Sequence, residues 1–156
     1  MREEIYDFLV DYGFSIDNVE YFQDENEKTF FTNINEVKKN INFLENKGLS
    51  KEEVISIFIK NPYMLTVKDN KLNYLDNIYI EKLKINNESL KKLILDNPYT
   101  YIESPIEIEK IINYLKENKC SEEVIKKFIL ENPLVISMKL DKVKEKVSFK
   151  SIKEEY

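Results

Sequence analysis

Histidine, tryptophan and alanine are absent from this 156-residue chain, which has only two glycines and one cysteine. Without histidine, the chain lacks the commonest general acid–base and the commonest metal ligand. A zinc site needs several Cys or His ligands, and a phosphate-cradling loop needs clustered glycines, so Cys120, Gly13 and Gly48 form neither. We therefore predict a protein that is not an enzyme, with no catalytic residues, metal site, cofactor or small-molecule substrate.

Signals for membranes and export are also missing from the sequence. No apolar run approaches the roughly 18 residues of a membrane span. The acidic start MREEIYDFLVDYG has no signal-peptide or transit-peptide pattern. A single cysteine excludes an internal disulfide and gives no indication of secretion. We expect a folded cytoplasmic protein with no membrane partner.

What the chain does have is a repeated break, Asn-Pro, at Asn61, Asn97 and Asn132, with spacings of 36 and 35 residues. The flanking segments follow the same period. INFLENKGLSKEEVISIFIKNP (Ile41–Pro62) and INYLKENKCSEEVIKKFILENP (Ile112–Pro133) share Ile-Asn-aromatic-Leu, Glu-Glu-Val-Ile, and Phe-Ile before Asn-Pro. A fixed period of this length is typical of helical-repeat proteins.

A further, degenerate repeat precedes these three. One period before Asn61 lies Asn26, and YDFLVDYGF (Tyr6–Phe14) matches INFLENKGL, which places Gly13 on Gly48. Asn26 is followed by glutamate instead of proline, and terminal repeats are often atypical. We predict that the same corner forms at Asn26 without proline.

Each repeat has the pattern of two helices followed by a break. Apolar residues recur along one face of the second helix, for example at Val54, Ile55, Phe58 and Ile59, and this face is predicted to be buried. Ser50 with Glu53 predicts a capping box, whereas Ser121 supplies an N-cap alone. A β interpretation is disfavoured because period-2 alternation and hairpin turn pairs are scarce. The fold class is therefore all-α.

The repeats divide the chain into one predicted helical-repeat domain at residues 1–147. Its four repeats are placed at residues 5–39, 40–75, 76–110 and 111–147. Residues 148–156 are interpreted as a tail or a capping segment.

The repeat resembles that of the mitochondrial transcription termination factor (mTERF) family, over roughly residues 5–147. The family pattern, L…G.s…ei…i…NP.lL, is matched by Leu44, Gly48, Ser50, Val54, Ile55, Pro62 and Leu65. The fourth repeat offers Leu115, Ser121, Val124, Ile125, Pro133 and Ile136, and the third offers Ile80, Leu90, Leu93, Pro98 and Tyr101. The resemblance implies a right- or left-handed solenoid, with two α-helices and a short 3₁₀ turn per repeat, that binds nucleic acid along its concave face.

The chain departs from this resemblance in three ways. Family members usually carry an organellar targeting peptide, have more than about four repeats, and are basic. This chain has a formal net charge of −5. The acidic excess lies in residues 1–27, which carry nine acids and one arginine, so later repeats can still present a basic face.

Six lysines recur one repeat apart and form the candidate nucleic-acid surface. They are the pairs Lys84 and Lys119, Lys91 and Lys126, and Lys92 and Lys127. Phosphate contacts by lysine would make binding backbone-directed and weakly sequence-specific, since Arg2 is the only arginine. The alternative is that these lysines fill solvated faces of a lysine-rich chain.

Aromatic residues suggest a second kind of contact. Tyr63 and Tyr99 follow prolines and are candidate contacts for a protein or nucleic-acid partner. The aromatic residues at one equivalent position of all four repeats, Phe8, Phe43, Tyr79 and Tyr114, are predicted to lie in the core, as is Cys120. Two functions remain open: nucleic-acid binding, and a protein-interaction scaffold with an acidic first repeat.

Overall fold

A computed structural model of the chain describes residues 2–27, 30 and 32–146, and these ranges contain helices and turns but no strand. The prediction of an all-α fold is confirmed. The α-helices of the described residues are α1 (Arg2–Tyr12), α2 (Ile16–Glu25), α3 (Ile34–Asn46), α4 (Lys51–Lys60), α5 (Asp69–Asp76), α6 (Asn87–Asp96), α7 (Pro105–Glu117), α8 (Glu122–Glu131) and α9 (Leu140–Lys146). The predicted tail or cap at residues 148–156 lies outside the described residues.

The helices belong to two compact units, one ending at Lys68 and the other beginning at Asp69. The first unit contains α1 to α4 and a 3₁₀ turn at Pro62–Thr66; the second contains α5 to α9 and a 3₁₀ turn at Pro133–Ser137. Within each unit the first helices of successive repeats pack together, α1 on α3, α5 on α7, and α7 on α9. The single domain at residues 1–147 stays a prediction.

The first helices do not start at the repeat boundaries placed from the sequence period. The boundaries predicted after residues 39, 75 and 110 lie inside or at the end of the first helices, which begin at Ile34, Asp69 and Pro105. The predicted caps of the second helices are confirmed. Ser50 and Glu53 form a reciprocal capping box, and the Ser121 hydroxyl accepts only the N–H of the residue three positions later.

The corner after each second helix forms at asparagine with or without proline. Asn26 has φ −142° and ψ 79°, and Asn61 has φ −144° and ψ 81°. In both, the backbone N–H donates to the carbonyl four residues earlier at 2.8 Å. The predicted corner at Asn26 is therefore confirmed, and its geometry does not require the proline that follows Asn61.

The asparagine side chain explains why this residue occupies the corner. In the first unit, Asn26 Nδ2 donates to the carbonyl of Pro62 at 3.1 Å and to the hydroxyl of Thr66 at 3.0 Å. In the second unit, Asn97 Nδ2 makes the same two bonds, at 3.0 and 2.9 Å, to the first carbonyl and last hydroxyl of the turn Pro133–Ser137. Each amide thus joins the end of one repeat to the 3₁₀ turn of the next.

A π-helical turn absorbs the one extra residue of the third repeat. Equivalent asparagines are 35 residues apart except between the second and third repeats, where Asn61 and Asn97 are 36 apart. The helix that starts with α5 continues as a π-helical turn at Asn77–Lys82, in which the Leu83 N–H donates to the Ile78 carbonyl at 3.0 Å. A bond spanning five residues accommodates an insertion without ending the helix.

The buried face of the second helices is offset from the predicted stripe. In α4 the buried residues are Val54, Ile57 and Phe58, whereas Ile59 is 36% exposed. Ile55 is half-buried, so the prediction of Ile55 and Ile59 as core residues is wrong, because the helix turns the i, i+3, i+4 set toward the core. Cys120 is buried, as predicted.

The turn between the two helices of each repeat requires a left-handed residue. Gly13 and Gly48 have φ 134° and 94°, and lysines with φ 56° and 68° stand at the same place in the last two repeats, Lys84 and Lys119. We expect Lys119→Gly to raise the free energy of unfolding by about 0.5 kcal/mol, because relief of the left-handed strain exceeds the entropy cost of glycine. Urea denaturation measures this change.

The control for this prediction is Lys110→Gly, in the middle of α7. A glycine there replaces a residue in ordinary helical conformation and should cost about 1 kcal/mol. Equal losses of stability in both variants would contradict the assignment of strain to Lys119.

Candidate nucleic-acid interface

Four of the six candidate lysines occupy matching positions on two second helices of the second unit. Lys91 and Lys92 are the fifth and sixth residues of α6, and Lys126 and Lys127 are the fifth and sixth residues of α8. Lys91 and Lys126 are half-buried, while Lys92 and Lys127 are exposed. The two helices therefore present their lysines from corresponding faces.

The remaining pair, Lys84 and Lys119, stands on the exposed turns that precede these helices. Each lies two residues before the N-cap of the second helix, which is Asn86 in α6 and Ser121 in α8. The structure thus places one triplet of lysines on the entry turn and first two turns of each second helix.

Acidic side chains on the same helices pair with three of these lysines. Lys92 Nζ lies 2.6 Å from a carboxylate oxygen of Asp96, and Glu123 lies 2.9 Å from Lys126 and 3.9 Å from Lys127. The hydrogen bond from Lys126, with the charge of Lys127, holds the pKa of Glu123 below its ordinary value. A phosphate at this surface must compete with these carboxylates.

The two candidate tyrosines are exposed, 55% for Tyr63 and 41% for Tyr99. Each follows the proline of a corner, and the equivalent residue of the last repeat, Leu134, is 60% exposed. Leu134 is not among the predicted contacts because it is not aromatic. Its spacing of 35 residues from Tyr99 nevertheless identifies it as the equivalent residue. The post-proline residues are therefore exposed apolar side chains.

The predicted burial of the equivalent first-helix aromatics is wrong for three of the four. Phe8, Phe43 and Tyr114 are half-buried, and only Tyr79 is fully buried. Tyr79 comes just before the residue added in the π-helical turn, so it takes the core position that leucine takes in the other repeats, such as Leu44.

Lysines cover the rings of the three half-buried aromatics. Lys38 Nζ lies 5.2 Å from the ring centre of Phe8, and Lys144 Nζ lies 5.0 Å from that of Tyr114. In both pairs the lysine lies 30 residues after the ring, on the first helix of the next repeat. Lys47 Nζ lies 4.8 Å from the ring of Phe43. These contacts place cations and aromatic rings together on the first helices.

The first helices are also cross-linked by carboxylates. Tyr74 in α5 donates to Glu109 in α7 at 3.0 Å, and Lys82 donates to the same carboxylate at 2.7 Å. The hydrogen bond from Lys82 is the main cause of a lowered pKa at Glu109. In the first unit, the Tyr12 hydroxyl donates to Glu45 at 3.2 Å. These contacts join neighbouring repeats.

Two open grooves in the first unit differ in charge. One lies along α3 and is lined by Asn35, Lys38, Lys39, Asn42, Phe43 and Asn46. The other is lined by Glu3, Tyr6, Asp7 and Gln23 on α1 and α2. Two lysines line the first groove and two carboxylates line the second. Across the residues that the structure describes, no helix is long and apolar enough to cross a membrane.

The elements above define an all-α helical-repeat protein whose repeats join at an asparagine corner. The sequence profile of the mTERF family matches residues 29–154, and the chain belongs to this family. Members of this family are in general nucleic-acid-binding, non-enzymatic repeat proteins. No curated protein matches the chain significantly. The acidic residues 1–27 precede the matched segment.

Proposed function

We propose that the chain binds nucleic acid through the phosphate backbone with weak sequence specificity. The observation that carries this proposal is membership of the mTERF family over residues 29–154. The contacts would come from the candidate lysines of the second unit: Lys84, Lys91, Lys92, Lys119, Lys126 and Lys127. Their matching positions on α6 and α8 support a surface that follows a repeating phosphate backbone.

The carboxylates beside these lysines weaken the surface but do not exclude phosphate. The pairs of Lys92 with Asp96 and of Lys127 with Glu123 are largely solvent-exposed. Pairs of this kind contribute less than about 1 kcal/mol each, so a phosphate can replace the carboxylate. We expect modest affinity that falls steeply as salt is added.

Fluorescence anisotropy with labelled duplex DNA and single-stranded RNA tests the proposal. The logarithm of the association constant should fall linearly with the logarithm of salt concentration between about 50 and 200 mM, with a slope that counts the phosphate contacts. If neither probe binds near 50 mM salt, the proposal is wrong.

A second prediction concerns Glu123, whose carboxylate contacts two of the proposed lysines. We expect Glu123→Gln to raise the affinity for either probe about threefold, because it releases Lys126 and Lys127 from an exposed pair. Glu131→Gln makes the same charge change on the same helix and is the control. Equal gains in both variants would indicate net charge alone and contradict the assigned contacts.

A protein-interaction scaffold is the second candidate function. It is supported by the exposed apolar residues that follow the prolines, Tyr63, Tyr99 and Leu134, and by the acidic groove on α1 and α2. Exposed aromatic and leucine side chains are typical anchors of protein interfaces. Absence of nucleic-acid binding in the anisotropy experiment would favour this function.

A further inference from the structure

One face of α3 combines amides, lysines and an aromatic ring without an acidic residue. Its members, Asn35, Lys38, Lys39, Asn42, Phe43 and Asn46, recur every three to four residues and line one open groove. This spacing places them along a single stripe of the helix, with about 6 Å between residues four apart. We call this stripe the α3 face.

The acids nearest to the α3 face already have partners. Glu36 forms a 2.7 Å ion pair with Lys39, and Glu45 accepts the hydrogen bond from Tyr12 at 3.2 Å. Lys38 is exposed, and its ammonium group lies over the ring of Phe8. Lys38 is therefore the lysine of the α3 face that forms no ion pair with a carboxylate among the described residues.

The amides of the α3 face are available to a ligand. Asn42 and Asn46 are exposed, and neither side chain bonds to another residue in the part of the chain that the structure describes. A carboxamide offers a donor and an acceptor side by side, which matches the edge of a nucleobase. Between them the Phe43 ring is half-buried and lines the groove. The Lys47 ammonium group lies 4.8 Å from its centre, so a base that stacks on this face must displace Lys47.

The same stripe has a different composition on the equivalent helices. The groove on α1 contains Glu3 and Asp7, and the matching positions of α7 include Glu109 and Glu117. Carboxylates at these places oppose phosphate, so the combination of amides, lysines and ring is a property of α3 and not of the repeat in general.

We propose that the α3 face binds the bases of single-stranded nucleic acid. This inference rests on the nucleic-acid binding proposed above and extends it. One unpaired base stacks on Phe43, the amides of Asn42 and Asn46 bond to base edges, and Lys38 contacts a phosphate. Stacking on a side chain requires a base that is not held in a duplex, which selects single strands. These base contacts on α3 are distinct from the backbone contacts proposed for the lysines on α6 and α8.

The triple variant Asn42→Ala/Phe43→Leu/Asn46→Ala tests the proposal by anisotropy. The probes are a labelled RNA of about 12 adenines, its DNA counterpart, and a duplex of about the same length. We expect affinity for single strands to fall by at least about tenfold, because one stacked base contributes that much. The salt slope and the duplex affinity should not change, since no charged group is removed. The RNA and DNA probes show which single strand is preferred.

Two further variants keep the test independent of folding. Asn42→Ala/Asn46→Ala alters only exposed positions and should still lower single-strand affinity about threefold. Asn113→Ala/Tyr114→Leu makes the matched change on α7 and should leave affinity unchanged. If wild type binds and the triple variant binds single strands equally well, or weakens duplex binding to the same extent, the inference is wrong while the proposed function stands. If wild type binds no probe near about 50 mM salt, the proposed function itself fails.

Discussion

Asn97→Ala is expected to lower the free energy of unfolding by about 3 kcal/mol. The Asn97 side chain is fully buried and donates to the carbonyl of Pro133 at 3.0 Å and to the hydroxyl of Ser137 at 2.9 Å. Its own oxygen accepts the N–H of Tyr99 at 3.0 Å. Alanine removes all three bonds and leaves a cavity at a fully buried position, so the turn Pro133–Ser137 loses its link to the end of the preceding repeat.

Urea denaturation followed by far-UV circular dichroism measures this loss. Asn132→Ala is the matched control, because Asn132 ends α8 at the same corner but is exposed, and its amide donates to the Phe128 carbonyl of its own helix at 3.0 Å. We expect the control to lose no more than about 1 kcal/mol. Similar losses in both variants would show that the corner, and not the bond to the next repeat, supplies the stability. Comparing the double variant Asn97→Ala/Ser137→Ala with the two single variants gives the coupling energy of the hydrogen bond between these two side chains.

The role of asparagine shows what a sequence pattern can and cannot reveal. The period, the helices, the capping box of Ser50 and Glu53 and the corner at Asn26 follow from local preferences and are predictable. Proline is the obvious cause of the corner in the sequence, yet Asn26 has the same backbone angles without it. The bonds from Asn26 to Pro62 and Thr66 span 36 and 40 residues, and bonds across such separations leave no local pattern.

The first-helix aromatics show how a one-residue insertion misleads an alignment. Counting back from the asparagine corner makes Tyr79 equivalent to Phe43, 36 residues earlier. Because the π-helical turn contains the extra residue, Tyr79 is instead equivalent to Leu44, 35 residues earlier. Phe43 also has the pattern of a core residue, because an aromatic beside leucine is usually buried. Only the packing of neighbouring helices reveals that the Phe43 ring is half-buried and that Lys47 lies over one of its faces.

The 35-residue period identifies the candidate lysines, whereas their acidic partners follow from a different rule, the spacing of charges within one helix. Glu123 precedes Lys126 by three residues and Lys127 by four, a spacing at which opposite charges meet on a helix. The same rule applies to Lys92 and Asp96, so both pairs are predictable from sequence alone. The α3 face is hidden for another reason, since its amides carry no charge and belong to one repeat only.

Reversing two of the candidate lysines is the decisive test of the proposed surface. We expect Lys91→Glu/Lys127→Glu to lower the affinity for duplex DNA and single-stranded RNA about 30-fold near 100 mM salt. The salt slope should decrease by about two, one for each lysine that no longer neutralises a phosphate. Lys127 is exposed, and Lys91 is half-buried at the edge of the buried stripe of α6, so neither is a core residue and the affinity should fall without unfolding.

The matched control is Lys110→Glu/Lys116→Glu, which makes the same change of net charge on α7 in the same unit. Lys110 and Lys116 are exposed, as Lys127 is, and they pair with glutamates at 3.0 and 3.2 Å, respectively. Long-range repulsion affects both double variants alike, whereas direct phosphate binding is removed in only one, so only Lys91→Glu/Lys127→Glu should change the slope. Equal slopes in the two variants would remove α6 and α8 from the interface and leave the α3 face as the surface to examine.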